Sequence, residues 1–454
     1  MASAADSMAS GLNLSKFGQA TELKKRLWFT LGALIIFRML SFVPLPGVDP
    51  TQLGLLADRT QGGVLDFFNT FSGGALERMS VIALGVMPYI TASIVVQLAT
   101  SLSPTLAAIK KDGESGRKRL NQYTRYGTVA LTAIQGYFIA VGLETLGASQ
   151  GLAPVVEPGM LFRIAAVISL IGGTMFLMWL GEQITSRGVG NGISLIIMAG
   201  IVAHLPTTLV QLFEGGRSGS MNPVTLLAIL AAVAGLILFI CFMERAQRRI
   251  LIQYPKRQTQ RGMQSERSHL PLKINTAGVI PPIFASSLLL MPLTISQFAG
   301  QSQAGESWGG DLIITLNQYL QHGSPIYMLL YGAGIIFFSF FYTAVVFNPE
   351  ETAENLKKYG GFIPGIRPGK NTEAYFDYVL TRITVIGAAY LTLICLVPEY
   401  LVSALAIPFY LGGTSLLIVV NVTMDTVTQI QSHLLAHQYG DLIKKAKLKG
   451  GRLR

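Results

Sequence analysis

The chain holds 454 residues, of which 48 are Gly, half are hydrophobic and only 13% are charged, with a formal net charge of +11. A soluble globular protein carries roughly a quarter of its residues as charges, and here the apolar residues come in blocks, each about long enough (~20 residues, ~30 Å as a helix) to cross a bilayer's hydrocarbon core. These figures exclude a string of soluble domains and predict an all-α polytopic membrane protein; the basic excess then reports topology before it reports any nucleic-acid partner.

Lys24, Lys25 and Arg26 precede an apolar run from Leu27 to Val43 that has the n-region and h-region of a signal peptide. Pro44-Leu45-Pro46-Gly47 follows in place of a small-x-small cleavage site, so the run reads as a retained first span. Ten spans are predicted in all: 27–43, 77–100, 124–146, 160–181, 192–213, 223–243, 276–297, 325–347, 379–397 and 402–422. Three longer basic loops, 103–123, 244–275 and 348–378, and a basic tail from 423 lie on one side. That side collects 29 of the 35 Lys and Arg, which places both termini in the cytoplasm. The opposite side has little beyond Arg59, Arg78 and Arg217. There, residues 62–74 form a short amphipathic stretch bracketed by Gly pairs, which composition alone reads as an interfacial loop helix. Cys241 and Cys395 both lie in apolar blocks, so no disulfide is expected.

Chemistry is sparse. Arg38, Arg163, Arg382, Glu144 and Glu399 lie toward span ends, where they are expected to snorkel, and no Asp, Glu or His is expected near a midplane. Ion-coupled carriers usually need such groups. Gly365-Ile-Arg-Pro-Gly369-Lys370-Asn371 is one residue short of a phosphate loop and has Asn where Ser or Thr should meet magnesium. His433 and His437 lack the Glu of a zinc protease motif. No nucleophile stands beside a base, so neither an enzyme nor a cofactor or metal is expected.

Two segments carry more information. Ser80 to Leu98 contains Gly85-Val86-Met-Pro88-Tyr-Ile90-Thr91-Ala-Ser93, in which Pro88 is expected to kink the helix and Thr91, Ser93 and Gln97 need polar partners inside the protein. Trp179 to Ile197 packs Gly188, Gly190 and Gly192 into a tight turn, with Glu182 and Asn191 placed to cap its helix ends. Both segments resemble the signature motifs of the SecY family of protein-conducting channels. Gly278-Val-Ile-Pro281-Pro-Ile283-Phe-Ala-Ser-Ser, Phe340 to Pro349, Phe362-Ile-Pro-Gly-Ile-Arg367-Pro-Gly and Pro408 to Ile418 are similar to that family too, as are the span count and the loop order.

The resemblance implies two five-span halves closed around an hourglass pore: 27–213 and 214–422, with a cytoplasmic N-terminus at 1–26 and a tail at 423–454. The family's pore ring falls on Val86, Ile90, Ile193, Ile197, Ile283 and Ile418, where uncharged side chains resist ions by dewetting. Its plug falls on Val64, Leu65, Asp66, Phe67, Phe68, Asn69, Thr70 and Phe71, within 62–74. A lateral gate between the second and third spans and the seventh and eighth takes Pro88, Thr91, Gln97, Pro281 and Ser286; the prolines, with Pro282, are expected to weaken backbone pairing, and Thr91 and Gln97 to bond across the closed gate. Loops 244–275 and 348–378 are the family's docking surface: Arg367 for the SecA motor ATPase, and Arg248, Arg249, Lys256 and Arg257 for ribosomal RNA phosphates. SecE and SecG subunits, unfolded preproteins, signal sequences and membrane lipids complete the implied partners, and the implied site is the bacterial inner membrane. The rival readings are a small-solute carrier or ion channel, which predicts an ionisable midplane group, and an insertion scaffold without a transverse pore.

Overall fold

A chain this apolar must satisfy its own backbone, and it does so mainly as helix. The computed structural model describes residues 21–53, 69, 72–150, 154–218, 222–254, 257–259, 262–264, 267–289, 324–405 and 412–450. In chain order these residues form α1 (Thr21–Leu40), α2 (Met87–Leu102), α3 (Pro104–Lys111), α4 (Glu114–Gln150), α5 (Met160–Arg187), α6 (Gly192–Arg217) and α7 (Pro223–Arg245). The strands β1 (Gln247–Gln253), β2 (Arg257–Thr259), β3 (Gly262–Gln264) and β4 (Arg267–Lys273) come next. Helices α8 (Ile280–Leu289), α9 (Pro325–Val346), α10 (Pro349–Lys358), α11 (Lys370–Leu405) and α12 (Gly413–Gly450) complete the order.

The predicted spans fall on α1, α2, α4 to α9, α11 and α12. Six of these, α4, α5, α6, α7, α9 and α11, are each long and apolar enough to cross a membrane, and α2 with α3 passes as a pair bent by 106°. The predicted seventh and tenth spans are described only in part, since 290–297 and 406–411 lie outside the described residues. The tail expected from 423 continues α12 as helix to Gly450.

Helix starts are marked by a recurring dipeptide. Asn222-Pro223, Ser324-Pro325 and Asn348-Pro349 each open a helix, with the Asn or Ser side chain accepting from a first-turn N–H and Pro in the first turn, where a missing N–H costs nothing. The second span departs from expectation at its start: helix begins at Met87 rather than 77. Met79 (φ +41°) and Gly85 (φ +57°) interrupt the helical path. The intervening turns are tied to the end of the first span, with Leu45 N–H donating to Met79 O (2.9 Å) and Val81 N–H to Val43 O (3.0 Å).

The basic loop 244–275 is a β-ribbon. β1 pairs antiparallel with β4 from Gln247↔Lys273 to Gln253↔Arg267, and β2 with β3. Ile250 and Leu272 of this ribbon pack with Ala353 of α10, Ile363, and Phe376, Val379 and Ile383 of α11 into a small core of their own. A reciprocal backbone pair, Gln253 with Phe362 (2.9 Å each way), ties the ribbon to the loop before α11. The two predicted docking loops are therefore one packed unit.

In the membrane region α4 lies along α5, α2 along α4, and α9 along α11, while α6 meets both α5 and α12. Large apolar side chains such as Leu161 (85% exposed), Ile168, Leu227, Phe242, Leu329 and Ile386 face outward, which is the lipid-facing belt of a bilayer protein. Helices α5 and α6 meet through glycine. A Cβ built on Gly192 would collide with the Gly181 carbonyl oxygen, whereas one on Gly172 meets nothing within 4 Å. Gly192→Ala is expected to cost ~1–3 kcal/mol through overpacking and to lower the thermal midpoint of the purified protein, with Gly172→Ala unchanged in the same unfolding measurement.

Candidate functional site

The six aliphatic positions expected to form a ring come from four helices. Val86 is the N-cap residue of α2 and Ile90 lies one turn on; Ile193 and Ile197 occupy the first turns of α6; Ile283 sits in the first turn of α8 and Ile418 in the second of α12. Val86, Ile90, Ile197, Ile283 and Ile418 are buried in one contiguous apolar cluster, and Ile193 packs against it partly buried. Ile193 has room because Gly181 faces it: a Cβ there would lie 2.9 Å from Ile193 Cγ1.

The α5–α6 turn holds Ile193 in place through its own backbone. Val189 N–H donates to Thr30 Oγ1 of α1 (3.1 Å), Gly190 N–H to Gln429 Oε1 of α12 (3.0 Å), and Gly192 N–H to Thr185 Oγ1 (2.9 Å). Asn191 caps α6 as expected, its Oδ1 accepting from the N–H groups of Ile193 and Ser194. Glu182 does not cap. Its carboxylate accepts from Arg125 Nη2 at 2.8 and 2.7 Å, joining α4 to α5, because it lies a full turn before the helix end and faces a guanidinium.

The gate residues are placed differently from expectation. Thr91 Oγ1 donates to Met87 O (3.1 Å), Gln97 Nε2 to Ser93 Oγ (3.2 Å) and Ser286 Oγ to Ile283 O (2.9 Å), each within its own helix. The Thr91 and Ser286 hydroxyls are satisfied on their own helical backbone, which removes their need for a partner across the boundary. Between α2 and α8 the described residues show a hydrogen bond of Ser287 Oγ to Met87 Sδ, at 4.0 Å. Pro88 stands in the first turn of α2, and Pro281 and Pro282 in that of α8, so they begin these helices rather than kinking or loosening them.

On the opposite side of the membrane Asn69 is buried, and its side chain is bonded twice to Glu77. The rest of the expected plug, Val64 to Phe68 with Thr70 and Phe71, lies outside the described residues. On the cytoplasmic unit Arg248 and Arg249 are exposed on β1 and Arg367 on the loop before α11; Arg257 belongs to β2, and Lys256 lies outside the described residues.

The charges expected to snorkel have partners. Arg163 donates to Glu144 (2.7 Å), with Gly159 N–H on the other carboxylate oxygen (3.0 Å). Arg382 lies over the Tyr378 ring, and Glu399 is buried at 4% exposure. Arg38 donates to Gly73 O at 2.6 Å. His204 is absent from the expected site, yet it sits near the middle of the predicted fifth span, against Gly74. Its place just after the apolar run from Leu195 to Ala203 in α6, and just before Pro206, is the sequence signal that marks it, and it corrects the expectation of no midplane histidine.

Comparison with known proteins agrees with this fold. The SecY family model matches residues 80–427. The protein translocase subunit SecY of Escherichia coli strain K12 is 54% identical over 434 residues, covering 95% of this chain and 96% of that protein. The SecY subunit of Rickettsia bellii is 51% identical over 438 residues, covering 96% and 99%. Among solved structures, one described as a protein conducting channel superposes with a TM-score of 0.64 at 17% identity, covering 90% of this chain and 92% of that one. Sec61 in the canine ribosome-channel complex from the endoplasmic reticulum gives 0.63 at 16% identity over the same shares. A match of this extent, spanning both signature motifs and the helices that carry the aliphatic cluster, makes the chain a member of the SecY family.

Proposed function

We propose that this chain is the pore-forming subunit of a protein translocase in the bacterial inner membrane, conducting unfolded preproteins across the bilayer and releasing apolar segments sideways into lipid. It acts as a conduit and performs no covalent chemistry. The observation that supports the reading is that Val86, Ile90, Ile197, Ile283 and Ile418 all belong to the shared apolar core, with Ile193 packed against it, and that they come from α2, α6, α8 and α12. A constriction of aliphatic side chains can mould around any passing backbone and closes to ions by dewetting. The halves 27–213 and 214–422 supply α2 and α6 on one side and α8 and α12 on the other, so parting them opens the ring. Residues 64–71 act as the plug on the non-cytoplasmic side, and the α2–α8 boundary as the lateral gate. SecE clamps the halves, SecG is peripheral, and SecA or an elongating ribosome supplies the force through the basic cytoplasmic unit.

Photo-reactive groups at Ile90 and Ile283 should each form adducts with a secretory chain arrested in transit; adducts confined to lipid-facing positions would favour a scaffold without a pore. Deleting 64–71 should leave an assembled complex with raised resting ion conductance in planar bilayers, and an unchanged conductance would remove the plug assignment. The double change Arg248→Glu with Arg249→Glu should weaken ribosome binding and reduce the slope of log affinity against log salt by ~1 for each RNA phosphate no longer neutralised, measured by co-sedimentation across a salt series.

A further inference from the structure

The base of the cytoplasmic ribbon is closed by a buried pair of side chains that the pore, gate and docking assignments do not use. Asn275 lies two residues after β4, and its amide nitrogen has two N–H groups to place. Two acceptors stand within reach: Glu244 Oε1 at the end of α7 (2.6 Å) and the carbonyl of Gly278 ahead of α8 (3.1 Å). Glu244 and Asn275 are 6% and 4% exposed, so neither can touch a docked partner, and removing either strands the other. Between them Ile274 N–H donates to Ala246 O (3.1 Å), which carries the β1–β4 ladder one step beyond Gln247↔Lys273. The ribbon is thus zipped down to the end of α7.

This root is wedged against α11. A Cβ on Gly387 would stand 3.7 Å from Asn275 Cα, and Tyr390, three residues on, is buried with its ring edge-on to Phe239 of α7 (5.8 Å). The neighbouring Lys273–Asp425 pair, at 3.7 Å and more than half exposed, is screened by water, so the buried bond is what fixes the root. Beyond Asn275 the chain changes character. Gly278 has φ of +65°, a left-handed turn that glycine takes without strain, and α8 opens two residues later at Ile280. A Cβ on Gly278 would meet Asn421 Nδ2 of α12 at 3.6 Å, three residues after Ile418. One glycine turn therefore stands between a zipped ribbon and the helix that carries Ile283 and Ser287.

We propose that Asn275 and Glu244 are positioning residues for transport: their bond joins the ribbon to α8, so that displacement of the cytoplasmic unit by a docked motor turns α8 about Gly278. The inference rests on the reading of that unit as the docking surface and of α8 as a gate helix. With the bond intact, the ribbon and the root of α8 move as one piece. With it broken, β4 parts from the end of α7 and the displacement is absorbed there. The motor then still docks and hydrolyses ATP, while α8 stays where it is.

The test uses the complete translocase, reconstituted in vesicles with its partner subunits, and reads SecA affinity, ATP hydrolysis and preprotein transported. Asn275→Ala should leave SecA affinity and preprotein-stimulated ATP hydrolysis in place and lower the preprotein moved per ATP about tenfold, within the usual range of coupling between two sites. Glu244→Gln, which keeps an acceptor for the Asn275 amide, should retain most of the coupling, a rescue that damage to the fold would not give. Glu244→Ala combined with Asn275→Ala should be no worse than either alone, because both remove the same bond. Should Asn275→Ala fail to assemble, Glu244→Ala opens that bond from its other side and carries the test. Unchanged transport per ATP, or a fall in SecA affinity that accounts for the whole loss, overturns the joint. A SecA affinity that Arg367→Glu leaves unchanged removes the docking reading instead, so the two failures are distinguishable.

Discussion

Hydrocarbon offers no hydrogen-bond partners, so a membrane-spanning chain can leave the α-helix only where other protein groups take over the released N–H and C=O groups. This constraint organises the molecule, because its working parts sit where helices break. The turn between α5 and α6 illustrates the cost and its solution. Gly188 N–H still reaches Ile184 O (2.7 Å), the next N–H groups go to Thr30 and Gln429, Gly192 N–H goes to Thr185, and Asn191 covers the start of α6. Those partners come from α1, α5 and α12 as well as the turn itself, so satisfying one break fixes the relative position of four helices. The segment from Ala75 to Val86 solves the same problem by pairing with Val43 to Leu45 and by internal turns. Each break delivers residues of the proposed ring: Ile193 and Ile197 follow the first, while Val86 closes the second and Ile90 follows it.

The same economy bears on how the proposed gate would open without a large penalty. Thr91, Gln97 and Ser286 are bonded within their own helices, so separating α2 from α8 breaks none of their hydrogen bonds. What separation forfeits is packing, such as Met87 against Ser287, and an apolar helix entering the gap can replace packing with packing. Discrimination then follows the hydrophobicity of the entering segment. A polar-zipped gate would instead demand that each client supply matching donors and acceptors, which diverse clients do not share.

What could be read from the residues, and what could not, divides along the range of the interactions. The spans are legible because apolar length is a local property, and the Asn191 cap because its partners are two and three residues away. Glu182 is misread as a cap because its real partner, Arg125, lies on another helix. Thr91 and Gln97 are misread in the opposite sense, since a partner on their own helix wins over a distant one. Pro88 suggests a kink only if the helix is assumed to start at 77, and it is the positive φ of Met79 and Gly85 that moves the start to Met87. In loop 244–275 the basic residues mask a strand pattern: Ile250 and Ile252 alternate, but only pairing with Arg267–Lys273 turns that alternation into a ribbon. The ring is different again. No aliphatic residue in a span announces a pore, and only resemblance singles out these six from the many others.

The cytoplasmic ribbon has one further consequence for how force reaches the membrane. β4 ends at Lys273 and α8 begins at Ile280, so the ribbon runs almost directly into the gate helix. The short connection is pinned: Asn275 donates to Glu244 Oε1 (2.6 Å) at the end of α7 and to Gly278 O (3.1 Å). It also lies tightly on α11, where a Cβ on Gly387 would stand 2.8 Å from the Ile274 carbonyl oxygen. Ile250, Leu272, Phe376 and Val379 lock the ribbon to the start of that same helix. A close-packed apolar core transmits displacement rather than absorbing it. A partner pushing on Arg248, Arg249 or Arg367, the proposed docking residues, would therefore act on one packed unit that continues through α7, α8, α9 and α11 among the described residues. Of these, α8 carries Ile283 and faces Met87, so such a load would reach the proposed ring and the proposed gate together.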